Sequence, residues 1–348
     1  MKKFAFFLPQ FHEIVENNKW WGDGFTEWTN VKNAKPLFKG HRQPIEPLDG
    51  YYNLLDKKTV INQTILSNNY NIDGFIYYHY YFKGKKLLEK PAENLLKWKD
   101  INQHFFFCWA NHSWYKSTNC RKEVLIKQEY GIQTDWEDHF NYLLPFFLDE
   151  RYEKKDNKPV FMIFDPIFDK KDLIFNYFNE KCIENGFSGI YIINSCKNYE
   201  VFNFLNSNKT SYSSFYYLRE PAYSLKMYKN DFIRKKDNLI RKYFAKLPII
   251  YNGNRIIKKS INNIKKGDSI IHGLFFSWDN TPRHKSNGYI ISRIKKKNIY
   301  KYLDLIFNEE YLFINAWNEW SEGMVLEGTK EDKYLYLEWL YEYFEKRG

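Results

Sequence analysis

Eight short apolar runs, each followed by polar or helix-patterned sequence, constrain the fold of this chain more than any other feature. They lie at residues 3–10 (KFAFFLPQ), 74–80 (GFIYYHY), 105–111 (FFFCWAN), 159–165 (PVFMIFD), 189–195 (GIYIINS), 211–216 (SYSSFY), 273–279 (GLFFSWD) and 311–318 (YLFINAWN). Continuous apolar character, in place of strict alternation, suits strands covered on both faces, as parallel strands are. Between them run segments with helical spacing. Val60, Ile61, Thr64, Ile65 and Leu66 form one, and the aromatic-rich amphipathic stretch at 331–344 (EDKYLYLEWLYEYF) closes the chain. Eight strands alternating with helices predict an α/β fold, a (β/α)8 TIM barrel. A length of 348 residues suits one such barrel. No repeat or Gly/Ser linker divides it, so residues 1–348 are read as a single domain. Two long segments decorate it: an active-site loop insertion at 11–58 and a basic insertion at 217–268.

In a barrel of this kind the carboxyl ends of the strands and the loops after them build the site. The runs finish on Gln10, His79, Asn111, Asp165, Ser195, Asp279 and Asn318, all at the expected mouth. After the eighth run comes WNEWSEG (317–323), with Glu319 and Glu322 set among Trp317, Asn318 and Trp320. Indole rings solvate a carboxylate poorly, so at least one of the two pKa values is expected to rise. A pair at i and i+3 converges if the backbone turns; in an extended strand it points to opposite faces. Paired carboxyls serve glycosyl transfer, one moving a proton at oxygen and the other attending the anomeric centre. The plainer alternative is that Glu322 caps the following helix.

The loop at 20–28 (WWGDGFTEW) offers Trp21, Glu27 and Trp28 either as a saccharide-binding surface or as a small core pinning the loop. Trp278, Asp279, Asn280 and Arg283 end the seventh run, where they hold sugar hydroxyls and a phosphate or simply form an Asx-type turn. His12, His79 and His112 fall at successive strand ends, but no HxH or HExxH spacing supports a metal site, and none is assigned. Aromatics make up 20% of the chain, enough to supply both core and stacking walls for a sugar.

The net charge is +11. Such an excess suits nucleic acid, an anionic leaflet or a phosphorylated substrate, or reflects biased composition alone. No nucleic-acid motif accompanies it. Within the basic insertion, Tyr228, Phe232, Leu239 and Tyr243 make a helical stripe flanked by Lys229, Arg234, Lys235, Lys236, Arg241 and Lys242. That helix either docks on an anionic leaflet or is a barrel helix with a solvated basic back. Cys108, Cys120, Cys182 and Cys196 show no CxxC spacing, so neither a zinc ribbon nor a disulfide framework is indicated. The absence of GxGxxG, GxxxxGK[ST] and DxD removes the usual mononucleotide fingerprints, and no cofactor is assigned. Without a secretory h-region or an apolar run of about 18 residues, a cytoplasmic protein is expected, with peripheral contact at the inner face of the membrane as an option.

Several motifs in order strongly resemble one family: LPQFH (8–12), NKWWGDGFTEWTNVKNAKPLFKGHRQP (18–44), DGFIYYHYYFKGKKLLEKP (73–91), EVLIKQEY (123–130), WDNTPR (278–283) and AWNEWSEG (316–323). The family is the WbsX-like glycosyltransferases of bacterial lipopolysaccharide O-antigen or capsule assembly. It is in turn similar to the glycoside hydrolase family 99 endo-α-mannosidases, barrels whose catalytic glutamates sit in a closely similar NEWxE motif. The resemblance implies that Glu319 assists attack by the sugar's own 2-hydroxyl and that Glu322 acts as general acid and base. It further implies a saccharide substrate, lipid-linked or nucleotide-activated, with hydrolysis of an α-linked polysaccharide as the alternative outcome. The expected substrate-binding set is Gln10, His12, Trp21, Glu27, Trp28, Tyr78, His79, Trp109, Asn111, Trp114, Trp278, Asp279, Asn280, Arg283, Trp317 and Asn318. Two positions depart from the family pattern: His112 replaces an acid in WANENW, and Lys127 replaces an acid in EVLIEQ.

Overall fold

Lys2–Phe7 (β1) pairs in parallel with Gly74–Phe82 (β2) on one side and with Tyr311–Asn315 (β8) on the other, which closes the sheet on itself. The computed structural model describes residues 1–118, 121–208 and 210–347. Between β2 and β8 run β3 (Phe105–Trp109), β4 (Lys158–Ile163), β5 (Tyr191–Cys196), β6 (Ser213–Leu218) and β7 (Ile270–Phe275), each parallel to its neighbours. The result is the expected (β/α)8 barrel. The seventh strand begins three residues before the expected run, because Ile270 and Ile271 are already buried in register with β6. Trp278–Asp279 has left the barrel by then and joins a small sheet with Tyr289–Ile291 and Ile249–Tyr251.

Period-two alternation sorts the aromatics into two layers. Phe4, Phe6, Tyr78, Phe106, Tyr217 and Phe313 point inward, with Phe6 5.6 Å from Tyr78 and 5.5 Å from Tyr217 between ring centroids. Phe7, Phe75, Tyr77 and Phe107 point outward, and Phe107 meets Phe146 of the helix Gln133–Leu148 at 4.9 Å. Gly74 is required where β1 and β2 meet, since a Cβ there would lie 2.5 Å from the Phe4 ring.

The loop at 11–58 folds into the helices Val15–Trp21 and Glu27–Lys32, the second opened by a capping box between Thr26 and Thr29. Residues 217–268 finish β6 and then form the helices Ala222–Tyr228, Asp231–Tyr243 and Gly253–Asn262. Among the described residues no helix is long and apolar enough to cross a membrane. Cys108, Cys182 and Cys196 are buried free thiols, and Cys120 lies outside the described residues.

Candidate active site

After β8 the chain makes a two-residue strand, Asn318–Glu319, then a 3-10 turn, Trp320–Glu322, and returns antiparallel along Met324–Val325. One 3-10 turn eclipses residues three apart, so Glu319 and Glu322 reach the same side. Gly323 ends the turn in the left-handed region at φ 60°, where a side chain would also crowd Asp279.

Arg283, from the short helix Thr281–His284, stands among three carboxyl groups. Its Nε donates to Glu27 Oε1 at 2.7 Å and its Nη1 to Glu322 Oε1 at 2.6 Å; its Nη2 lies 3.6 Å from Glu319 Oε2. The other Glu322 oxygen accepts from Trp278 Nε1 at 2.9 Å. Glu319 has no such tie: it is buried, and its Oε2 accepts no hydrogen bond among the described residues. One guanidinium cannot neutralise three carboxylates. Burial first, then the charges of Glu322 and Glu27, push Glu319 up to about 8, against the opposing pull of Arg283. Of the pair, Glu319 is the member whose surroundings favour the protonated form.

Both glutamates line one cavity of about 810 Å³ at the mouth of the barrel. Its walls include Gln10, Trp21, Glu27, Tyr78, Trp114, Trp278 and Arg283, a subset of the residues the sequence singled out. A model of the WbsX glycosyltransferase family matches residues 3–340. The chain belongs to that family.

The WbsX family is by its name one of carbohydrate-active enzymes. Curated relatives include the uncharacterized protein WxcX of two strains of Xanthomonas campestris pv. campestris, each 27% identical over 346 residues. The match covers 96% of this chain and 48% of the relatives, so the chain spans about half the length of the proteins it matches. Among solved structures, the GH99 endo-alpha-mannosidase from Bacteroides thetaiotaomicron superposes with a TM-score of 0.56 at 12% identity, over 99% of this chain and 98% of that one. A glycoside hydrolase-like protein gives 0.54 at 12% identity over 86% and 89%. At that identity the likeness establishes the shared barrel and nothing finer.

Several residues expected at the site lie elsewhere. His79 and Trp109 are odd-numbered members of β2 and β3, so alternation turns them outward to the helices while Tyr78 turns in. His79 Nε2 is 2.8 Å from His139 Nε2, and Trp109 Nε1 donates to the Tyr81 carbonyl at 3.1 Å. Trp28 belongs to the loop's own core, its ring 4.4 Å from Phe11 and its Nε1 bonded to the Tyr52 carbonyl at 2.7 Å. Trp317 is fully buried against Phe75. His12 is buried off the cavity, and desolvation lowers its pKa to about 4.

The mouth amides also serve the scaffold. Asn318 bonds the amide and the carbonyl of Leu8 at 2.7 and 3.1 Å. Asn111 does the same for Asp165, at 2.8 Å each way. Each acts as a surrogate peptide that staples two strand ends together. Asp279 accepts from Thr281 N and Oγ1, an Asx-type turn, and its other oxygen holds His41 and Gln43 of the first loop at 2.8 Å each. Asn280 is buried and accepts from Tyr289 N at 2.7 Å.

The cavity also has walls the sequence did not nominate: Tyr80, His112, Phe164, Arg219 and Glu220 among them. Even parity with Tyr78 pointed to Tyr80, whose hydroxyl accepts from Gln10 Nε2 at 3.2 Å. Arg219 directly follows β6, whose run SYSSFY is half serine and stops at residue 216, two short of the observed strand end, so the pattern did not reach Arg219. Lys127 is exposed beside Glu129 and does not reach the cavity.

Proposed function

We propose that this cavity is the active site of a glycosyl-transferring enzyme of bacterial surface-polysaccharide assembly, with Glu319 and Glu322 as the pair that trades protons with the saccharide. The observation that carries the reading is the Glu319–Glu322 turn: two carboxyls share one cavity, one buried and pushed up in pKa, the other fixed by Arg283 and the Trp278 indole. Breaking a glycosidic bond needs a proton on the departing oxygen and a negative group or nucleophile near the anomeric carbon. A pair holding one proton supplies both.

The roles implied by the resemblance have Glu319 accept the proton of the sugar's 2-hydroxyl while Glu322 protonates the leaving oxygen. Burial favours the proton on Glu319 in the free cavity, so those roles ask the bound sugar to shift it toward Glu322. The pair, and not either residue alone, is the titrating unit. Of the aromatics expected at the site, Tyr78, Trp114, Trp21 and Trp278 line the cavity and are available to stack on sugar faces, with Tyr80 and Phe164 beside them.

Separate Glu319→Gln and Glu322→Gln substitutions are expected to lower turnover by about 10²–10⁴-fold, the usual range for lost general acid–base groups, with Tm little changed. Full activity in both overturns the assignment. Hydrolysis is the second reading, favoured by the barrel it shares with endo-alpha-mannosidases and by the missing mononucleotide fingerprints. Incubation with α-linked oligosaccharides separates the two, because a hydrolase releases reducing ends without an activated donor.

We further propose that the protein seats against an anionic leaflet through the helix Asp231–Tyr243 and the segment after it. Phe232 is 76% exposed and Tyr243 66%; Leu239 shares their side of the helix by its spacing, and Phe244, Leu247 and Ile250 are exposed in the segment after it. Exposed Arg234, Lys235, Lys236, Lys242 and Lys246 surround it. The predicted stripe shrinks at one end, since Tyr228 packs on Tyr251, while Lys229 pairs with Asp237 and Arg241 donates to the carbonyls of Ser286, Asn287 and Gly288. An apolar face rimmed by lysine suits phosphatidylglycerol-containing vesicles over phosphatidylcholine ones. Sedimentation with both types is expected to pull the protein down only with the anionic vesicles, and Phe232→Glu with Leu239→Glu should abolish it. Absence of co-sedimentation removes this reading.

A further inference from the structure

Away from Glu319 and Glu322 the cavity has a second charged wall. Arg219 follows β6, and its backbone is held on both sides: its amide donates to Cys196 at 3.0 Å and its carbonyl accepts from Tyr223 at 2.8 Å. Its guanidinium lies 3.9 Å over the Phe164 ring, with Nη1 bonded to the Phe164 carbonyl at 3.0 Å. The side chain is 13% exposed, and the part left open lines the cavity. It is thus a stacked, pre-oriented fork of the kind that accepts a planar or tetrahedral oxyanion.

Its donors are largely free. Among the described residues its single hydrogen bond is the one to Phe164, and its ion pair to Asp165 Oδ1 spans 3.8 Å, too long for a hydrogen bond. Asp165 is itself 42% exposed in its side chain, so water screens that pair. The adjacent Glu220 forms no ion pair with Arg219 among the described residues, its carboxyl being turned to Ser224 N and Oγ. It is buried against Ser224, whose Oγ donates to it at 2.6 Å, and burial raises its pKa to about 8. On the same Phe164 ring, at 5.3 Å, lies the His112 imidazole, whose buried Nδ1 has no partner among the described residues. Arg283, the other cation of the cavity, already faces three carboxyl groups.

We propose that Arg219, assisted by His112, forms an oxyanion-binding subsite, and that the saccharide handled here carries a phosphate or a carboxylate that docks on it. That the ligand is a saccharide rests on the glycosyl-transfer reading; the anion site itself stands on the geometry of Arg219 and His112. A diphosphate-activated donor and a uronic-acid residue both present this chemistry.

Isothermal titration calorimetry of the whole protein with pyrophosphate, glucuronate and mannose tests it. Pyrophosphate, glucuronate or both should bind well above neutral mannose, and the preferred one tells the phosphate source from the carboxylate source. Hydrogen bonds to charged groups lead to an expected loss of about 10–100-fold in that affinity for Arg219→Gln, with Arg219→Lys in between. Glu319→Gln should leave anion affinity within about threefold while turnover falls, so a failed glycosyl-transfer reading and a failed subsite register in different assays. A crystal of the unsubstituted protein soaked in pyrophosphate covers the case in which Arg219→Gln does not fold: the anion should lie within hydrogen-bond reach of Arg219. Equal binding of anions and mannose, or an anion seated only at Arg283, overturns the proposal.

Discussion

At the scale of single residues, Glu319 gathers the site's acidity because of where its neighbours put charge. Burial raises its pKa most, Glu322 and Glu27 add to that, and Arg283 opposes them. If the singly protonated pair is the working form, kcat/KM is expected to fall as pH climbs through about 8, where Glu319 releases its proton. Removing the negative charge of Glu27 removes one cause of the rise. Glu27→Gln should therefore move that alkaline limb to lower pH, a shift read directly from pH–rate profiles. A limb that moves upward, or none between pH 7 and 9, speaks against the ionisation scheme. The sequence made the pair legible because two acids between indoles have few other uses. It hid the state of each acid, which depends on Arg283 arriving from a segment nearly forty residues earlier in the chain.

At the scale of elements, the turn Trp320–Glu322 is held from behind. Trp320 Nε1 donates to Glu327 at 3.0 Å, and Tyr52 and Gln63 donate to the same carboxyl at 2.7 and 2.6 Å. Glu327 is buried and does not line the cavity, so its part is to position the turn. Glu327→Ala would strand the Tyr52 hydroxyl and Gln63 Nε2 at about 1–3 kcal/mol each, leaving Trp320 Nε1 its 3.3 Å bond to Tyr52 Oη, and a loss of at least about 2 kcal/mol is expected. Urea denaturation checks this; a variant within 1 kcal/mol of the parent would show that the turn supports itself. Element parity also decided which aromatics the sequence placed correctly. Tyr78 faces in and His79 faces out on the same strand, a distinction that period two contains once the inward register is known. A continuous apolar run, covered on both faces, conceals that register. Trp28 failed differently: a loop's private core of Phe11, Tyr52 and Trp320 is a tertiary arrangement that no local pattern spells out.

At the scale of the whole molecule, the barrel was legible because eight apolar runs alternate with helices, and parallel strands leave few other ways to cover both faces. The boundary error at β7 came from Phe275, Phe276 and Trp278, whose apolar character continues past the point where the strand ends. The closed barrel buries three carboxyls with raised pKa values: Glu220 and Glu319 to about 8, Glu327 to about 7. Folded, they keep their protons to those values; unfolded, they release them near the ordinary 4.5. These three groups favour the folded state less as pH rises from about 5 to 8, while the buried His12 and His79, lowered to about 4 and about 3, act in the opposite direction up to about pH 6.5. The decline in stability is therefore expected between about pH 7 and 8. Glu220→Gln should remove part of the slope in a series of denaturation midpoints between about pH 7 and 8, whereas stability rising with pH over that interval would contradict the burial of these groups in neutral form.

The central claim is that a sugar lies across the turn after β8. A crystal structure of the Glu319→Gln variant with a bound oligosaccharide tests it most directly. The anomeric carbon and its glycosidic oxygen are expected between residue 319 and Glu322, with Tyr78 and Trp278 against the ring faces. An oligosaccharide seated elsewhere on the protein, with the 319–322 turn untouched, would contradict the account.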